Sequence, residues 1–237
     1  MYYYGWGLDP TYILVLIGAA FALIAQMHVK STFKKYSKIR SGTGMTGAET
    51  AQRILSYSGI SGVMVSHVGG ELTDHFSPKD GVVNLSDTVY GESSVAAVAV
   101  AAHECGHVQQ HDNNYLPLSI RTAIVPVANI GSYAAWPLIV AGLLIPTNVA
   151  GDLGYYLIQL GIWAFGAAVA FQVITLPVEF NASRRALITL QDMGILSAEE
   201  LPMAKKVLNA AALTYVASAA AALLQLLRLL MIAGRRK

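Results

Sequence analysis

Charge is scarce in this sequence. Only 13% of its 237 residues are Asp, Glu, Lys or Arg, whereas 54% are hydrophobic; soluble domains carry about 25% charged residues. That deficit argues against an ordinary soluble domain and for a chain that lives in lipid. The net charge of +2 supplies no basic field for nucleic acid, so no nucleic-acid partner is expected. Cysteine is nearly absent too. A single Cys105 excludes an intrachain disulfide and fits a reducing compartment. Cys105 is either a redox-sensitive thiol or, as we favour, a small filler.

Long apolar runs are what the chain has instead. The first, Thr11 to Met27, contains no charged residue and is close to membrane thickness at ~1.5 Å per residue. Its positive charges (Lys30, Lys34, Lys35, Lys38, Arg40) follow the run, where a signal peptide would carry them in front. We read a retained anchor whose C-terminal side is cytoplasmic, its basic residues meeting anionic headgroups. Two more runs, Thr122 to Ile145 and Leu153 to Leu176, flank the loop Pro146–Asp152, which carries no Lys or Arg and so suits the outer side. They read as a transmembrane hairpin. Trp136, Tyr155, Tyr156 and Trp163 are either interfacial anchors or buried packing.

A fourth run, Val207 to Ile232, contains Gln225 and Arg228 and ends in Arg235-Arg236-Lys237. If it spans, the basic tail lies outside, against the charge rule; if not, it lies in the interface. Its length favours a span, with Arg228 snorkelling or facing the protein interior.

The chemistry is in His103-Glu104-Cys105-Gly106-His107. Residues four apart share a helix face roughly 6 Å apart, so both imidazoles reach one Zn²⁺ while Glu104 stands beside its water. The preceding run Ser93 to Ala102 offers a Ser N-cap and small apolar residues, which predicts a helix. Two His and one Glu in such a helix are costly to bury without a partner.

A catalytic zinc needs a third protein ligand and an open position. His111, eight residues after His103, lies ~12 Å away along a helix, too far for the same ion. His67 and His75 read as structural, and His28 as interfacial. Glu179 is the better candidate. It follows the third run at once, and a membrane hairpin returns the chain to the side of the first motif. Pro177 suggests the first turn of a new helix there.

The more polar stretch between carries Thr46-Gly47-Ala48-Glu49, a capping-box match opening a helix that stops at Gly59. Val63–Val68 and Gly81–Ser86 read as short strands. The second could hold an extended peptide across the zinc, or the two could form a plain structural hairpin.

These segments together resemble the YugP-like neutral zinc metallopeptidases of bacterial membranes over nearly the whole length. The matching parts are the basic patch after the anchor, Thr46–Glu49, Val83-Asn84-Leu85-Ser86 leading into Ala101–His107, Glu179-Phe180-Asn181-Ala182-Ser183, and Leu223–Arg228. More distantly, the order of parts is similar to HtpX and the CaaX prenyl endopeptidases. The resemblance implies His103, His107 and Glu179 as zinc ligands, Glu104 as general base, and a catalytic face at the cytoplasmic membrane surface. In those distant relatives an acidic residue often stands four positions after the ligand Glu. Here Ser183 stands there, so support for a ligand histidine differs.

The expected fold is a mainly α integral membrane protein of about four membrane helices with a small α+β, zincin-like cytoplasmic domain. Its parts are an anchor (11–28), a catalytic domain (41–118), a transmembrane hairpin (119–176), a third-ligand helix with a cytoplasmic segment (177–206) and a C-terminal membrane helix (207–232). The expected function is a multi-pass plasma-membrane zinc endopeptidase acting on polypeptides, with Arg184 or Arg185 as possible oxyanion donors. The alternatives are a non-catalytic zinc scaffold and, against the scarcity of intramembrane charge, a metal or solute transporter.

Overall fold

The structure is a computed structural model and describes residues 9–146 and 152–234. It is mostly helical, with one small sheet. The elements are α1 (Tyr12–Tyr36), α2 (Gly47–Tyr57), β1 (Met64–His67), β2 (His75–Ser77), β3 (Val82–Leu85), α3 (Val95–Asp112), α4 (Leu116–Leu144), α5 (Leu153–Asp192) and α6 (Leu201–Gly234). Contacts divide them into two units. One holds Ala25–Ile120 and Thr175–Thr214; the other holds the chain up to Ile24, Arg121–Ile174 and the chain from Tyr215.

The first unit has a core like that of a soluble protein. Thr46 caps α2 with a complete capping box: its hydroxyl accepts from the Glu49 N–H, and the Glu49 carboxylate accepts from the Thr46 N–H at 2.8 Å. The helix closes at Ser58, and Gly59 follows with φ +67°, a left-handed turn that suits a residue without Cβ. Ala51, Ile54 and Leu55 of α2 then pack with Val83 and Leu85 of β3 and with Val95, Val98, Ala102 and Cys105 of α3. Each such branched side chain, fully buried, contributes roughly 1.5–3 kcal/mol. Cys105 belongs to this core, fully buried with its thiol 3.6 Å from the Ala51 carbonyl. Burial pushes its pKa up, so it is an inert filler and not a reactive thiol.

The sheet corrects one expectation. β1 and β3 do not form a hairpin; they run parallel, with Met64 opposite Val82 and His67 opposite Leu85. The segment joining them is long enough for a crossover, and within it β2 pairs antiparallel to the far side of β3. The order is β1-β3-β2. The strand expected to hold a peptide, β3, therefore has both edges filled, and the free edges belong to β1 and β2.

The helices are longer than the apolar runs they contain. A second correction concerns Pro177, which starts no new helix: α5 continues through it as a single 40-residue helix. Proline removes one backbone donor, yet flanking turns keep the helix continuous, as they do at Pro126 and Pro137 of α4.

Among the described residues four helices, α1, α4, α5 and α6, are long and apolar enough to cross a bilayer. Within their most apolar windows only 11–28% of residues are buried, and Leu16, Ile130, Tyr133 and Trp163 all face outward. An apolar exterior of that extent is consistent with a membrane protein. In this second unit α4 and α5 meet backbone to backbone, where a Cβ at Gly131 would strike the Ala164 carbonyl and one at Gly161 the Ala135 carbonyl. Small residues at such crossings are the usual means of packing helices in lipid. Arg228 of α6 faces the protein interior, its guanidinium 3.9 Å from the centre of the Tyr12 ring. The outer loop and the basic tail fall largely outside the described residues (147–151 and 235–237).

Candidate metal centre

Ser94 caps α3 by accepting from the Ala97 N–H at 3.1 Å, and the helix then runs unbroken to Asp112. His103 and His107 therefore sit one turn apart on one face, their rings nearly perpendicular with centroids 4.8 Å apart. Glu179 comes from α5. Its Oε2 lies 3.3 Å from His103 Nε2 and 3.6 Å from His107 Nε2, and its side chain is almost fully buried.

These distances have a specific meaning. Four donors placed tetrahedrally ~2.0–2.2 Å from a zinc ion stand ~3.3–3.6 Å from one another. These two separations match edges of that polyhedron, and all three candidate donor atoms lie within 4.8 Å of one another. They are N and O donors of the kind zinc prefers, so the residues fit the ion.

The electrostatics agree. Burial works against charge on Glu179, which lies beyond the apolar stretch of α5. The nearby imidazoles of His103 and His107 nonetheless hold its carboxyl well below the usual carboxylate range. Burial likewise disfavours the charged form of His107, but the bond to Glu179, the charges of Glu104 and Glu179 and the bond to Gln110 carry its pKa above the ordinary value. A negative field that attracts a proton to this point attracts a divalent cation equally.

The far nitrogens are also engaged. His103 Nδ1 lies 3.1 Å from the Ser183 hydroxyl and His107 Nδ1 3.0 Å from Gln110 Oε1. The amide of Gln110 donates in turn to the Val178 carbonyl at 2.8 Å and to Asn181 Oδ1 at 3.0 Å, where Arg185 Nε also donates at 2.8 Å. With Nδ1 donating, each imidazole presents the lone pair of Nε2 to the metal position. Sequence reasoning flagged Ser183 only as a departure from an acidic residue, and missed Gln110. Both stood one helical turn from a candidate ligand, the spacing at which a partner is to be sought.

Other candidates fall elsewhere. His111 is exposed, its ring centroid 5.8 Å from that of Phe76. His67 pairs with Asp87 at 2.6 Å, and His75 Nδ1 meets the Thr73 carbonyl at 2.9 Å; both lie in strands and neither joins the cluster. Glu104 is buried on α3 directly after His103. Arg184 is exposed, while Arg185 is held by Asn181 and lies 5.9 Å from the centre of the Tyr115 ring.

Close packing brings α5 to α3. A Cβ at Gly106 would lie 2.5 Å from the Ala182 carbonyl oxygen, so only glycine lets the two backbones approach this far.

A zinc-competent cluster built on a His-Glu-x-x-His helix and a returning carboxylate has the make-up expected of a zinc metallopeptidase, and the chain matches such a family over residues 11–234. It belongs to the family described as "putative neutral zinc metallopeptidase", whose cofactor is zinc. Among individual proteins it is similar to the "putative membrane protease YugP" of Bacillus subtilis (strain 168). The two are 48% identical over 219 residues, covering 92% of this chain and 94% of that protein. No solved structure matches significantly.

Proposed function

We propose that the chain is a multi-pass membrane zinc endopeptidase with a small zincin-like catalytic domain. That domain, residues 41–118 completed by the segment 177–206, faces the cytoplasm at the plasma membrane. One observation carries the reading: Glu179 Oε2 stands at tetrahedral-edge distances from both His103 Nε2 and His107 Nε2, and the three atoms lie within 4.8 Å of one another. Three protein donors with a further position open is the catalytic arrangement, where a structural zinc would be closed by four.

Zinc bound there supplies a Lewis acid that acidifies water and polarises a carbonyl. Glu104 then does the proton work: it accepts a proton from the attacking water and returns it to the leaving amine. Its burial limits exchange of that proton with bulk solvent. Ser183 and Gln110 hold the two imidazoles in the tautomer and orientation that ligation requires. An extended polypeptide substrate has a free strand edge beside this helix, because β2 lies against α3 through Phe76 and His111. Pairing with β2 would lay the peptide along the metal face. The basic run after the apolar part of α1 supports a cytoplasmic site, while four spans carry the C-terminal tail outward against the same rule.

The test is metal analysis and peptide cleavage with three purified proteins. Wild type and Glu104→Gln are expected to hold near-stoichiometric zinc, and Glu179→Ala to lose it, while only wild type cleaves. Cleavage by Glu104→Gln would remove Glu104 from its role, and full zinc in Glu179→Ala would remove Glu179 from the ligand set.

A further inference from the structure

We propose that the groove between the C-terminal half of α1 and the N-terminal half of α6 binds one anionic phospholipid, its phosphate held by Lys35 and Lys206. The groove encloses about 450 Å³ within one unit of the fold, a volume typical of small-molecule sites. On α1 it is lined by His28, Thr32 and Lys35, and on α6 by Lys206, Asn209 and Leu213. Each set follows the spacing of a single helix face, so the groove runs between the two helices.

Its charge is uncompensated. Both lysines face the same space, and among the described residues neither has a carboxylate at ion-pair distance. A phosphate diester carries the missing negative charge, and Thr32 and Asn209 add neutral donors for its remaining oxygens. A free phosphate would satisfy these groups equally; the polarity gradient decides for the lipid. α1 reaches Lys35 as it leaves its uncharged stretch (residues 12–27), and α6 passes from Lys206 through Leu213 into its own (residues 215–227). The lysines thus stand at the polar ends of both helices, while Leu213 leads toward the apolar ends. That order matches a headgroup followed by acyl chains, and basic pockets between membrane helices recognise lipid in this way. The inference rests on these helices lying in a bilayer and is independent of the zinc chemistry.

Native mass spectrometry of the full detergent-solubilised chain tests it, with phosphatidylglycerol, phosphatidylcholine and orthophosphate as probes. Wild type should retain phosphatidylglycerol in preference to phosphatidylcholine. The Lys35→Gln/Lys206→Gln double variant should bind it roughly 30-fold more weakly, from the usual contribution of two basic residues at an anionic headgroup. Lys79→Gln/Lys205→Gln, with the same charge loss at two lysines outside the groove and outside the basic run of α1, should bind as wild type does. Equal retention of phosphatidylcholine, equal weakening in both double variants, or displacement of the lipid by millimolar orthophosphate would each overturn the proposal. Zinc content measured on the same samples should not change.

Discussion

Two histidine–carboxylate arrangements in the same unit look alike on paper and differ in kind. His67 and Asp87 approach to 2.6 Å with both side chains about half exposed. His103, His107 and Glu179 stand farther apart, at 3.3 and 3.6 Å, and are nearly buried. The closer pair is an ordinary hydrogen bond at the surface, screened by water and worth little. The looser trio leaves room at its centre, and its imidazoles are tied down from behind by Ser183 and Gln110. A short contact thus signals a finished interaction, whereas convergent donors just beyond contact, each supported on its far side, signal a place for a third party.

The contrast can be broken most decisively at the ligands. His107→Ala is expected to abolish both zinc retention and peptide cleavage, while His67→Ala leaves both intact; elemental analysis alongside a cleavage assay decides, and equal zinc in the two would erase the distinction. Next comes the rear support. Gln110→Leu should weaken zinc binding by about 10–100-fold, read by competition with a chelator, with Gln110→Glu recovering part of the loss because it keeps an acceptor for His107 Nδ1. Gly106→Ala should lower stability by roughly 1–3 kcal/mol by forcing α3 from α5, seen as a lower Tm, with zinc affinity falling in parallel.

The smallest effect belongs to the surface pair. The Gly70 N–H, followed by His67, holds the Asp87 carboxyl below its ordinary value of 3.8. A depressed carboxylate contributes stability above that ordinary value and loses it as pH falls through the lower folded one. A small Tm deficit in Asp87→Asn at neutral pH should therefore vanish in strong acid, and a deficit that persists there would assign it to packing.

Local signals in the chain proved readable where one turn of helix decides the outcome. Thr46 with Glu49, Ser94 before its apolar run, and the His103–His107 spacing all act over three or four residues, and each stands as the pattern implies. Glu179 was reachable by a longer argument, because a hairpin of membrane length has few places to return. Three features were not legible. β2 is three residues long with Pro78 behind it, too short for alternation to show, and missing it concealed the parallel pairing of β1 with β3. Pro177 carries a strong local preference for a helix start that the surrounding 40-residue helix overrides. Gln110 is a polar residue whose burial depends on the Val178 carbonyl, a partner distant in the chain.

The contact of Gly106 with Ala182 has a bearing on how such motifs are recognised. The width of the metal cage is gauged by main chain touching main chain, which no rotamer change can relax. Of the two variable positions in His-Glu-x-x-His, the first here only fills the core, whereas the second sets the calibre of the cage. A similar chain with a branched residue at that second place would have to hold its returning helix farther off, and its carboxylate would stand farther from the paired imidazoles.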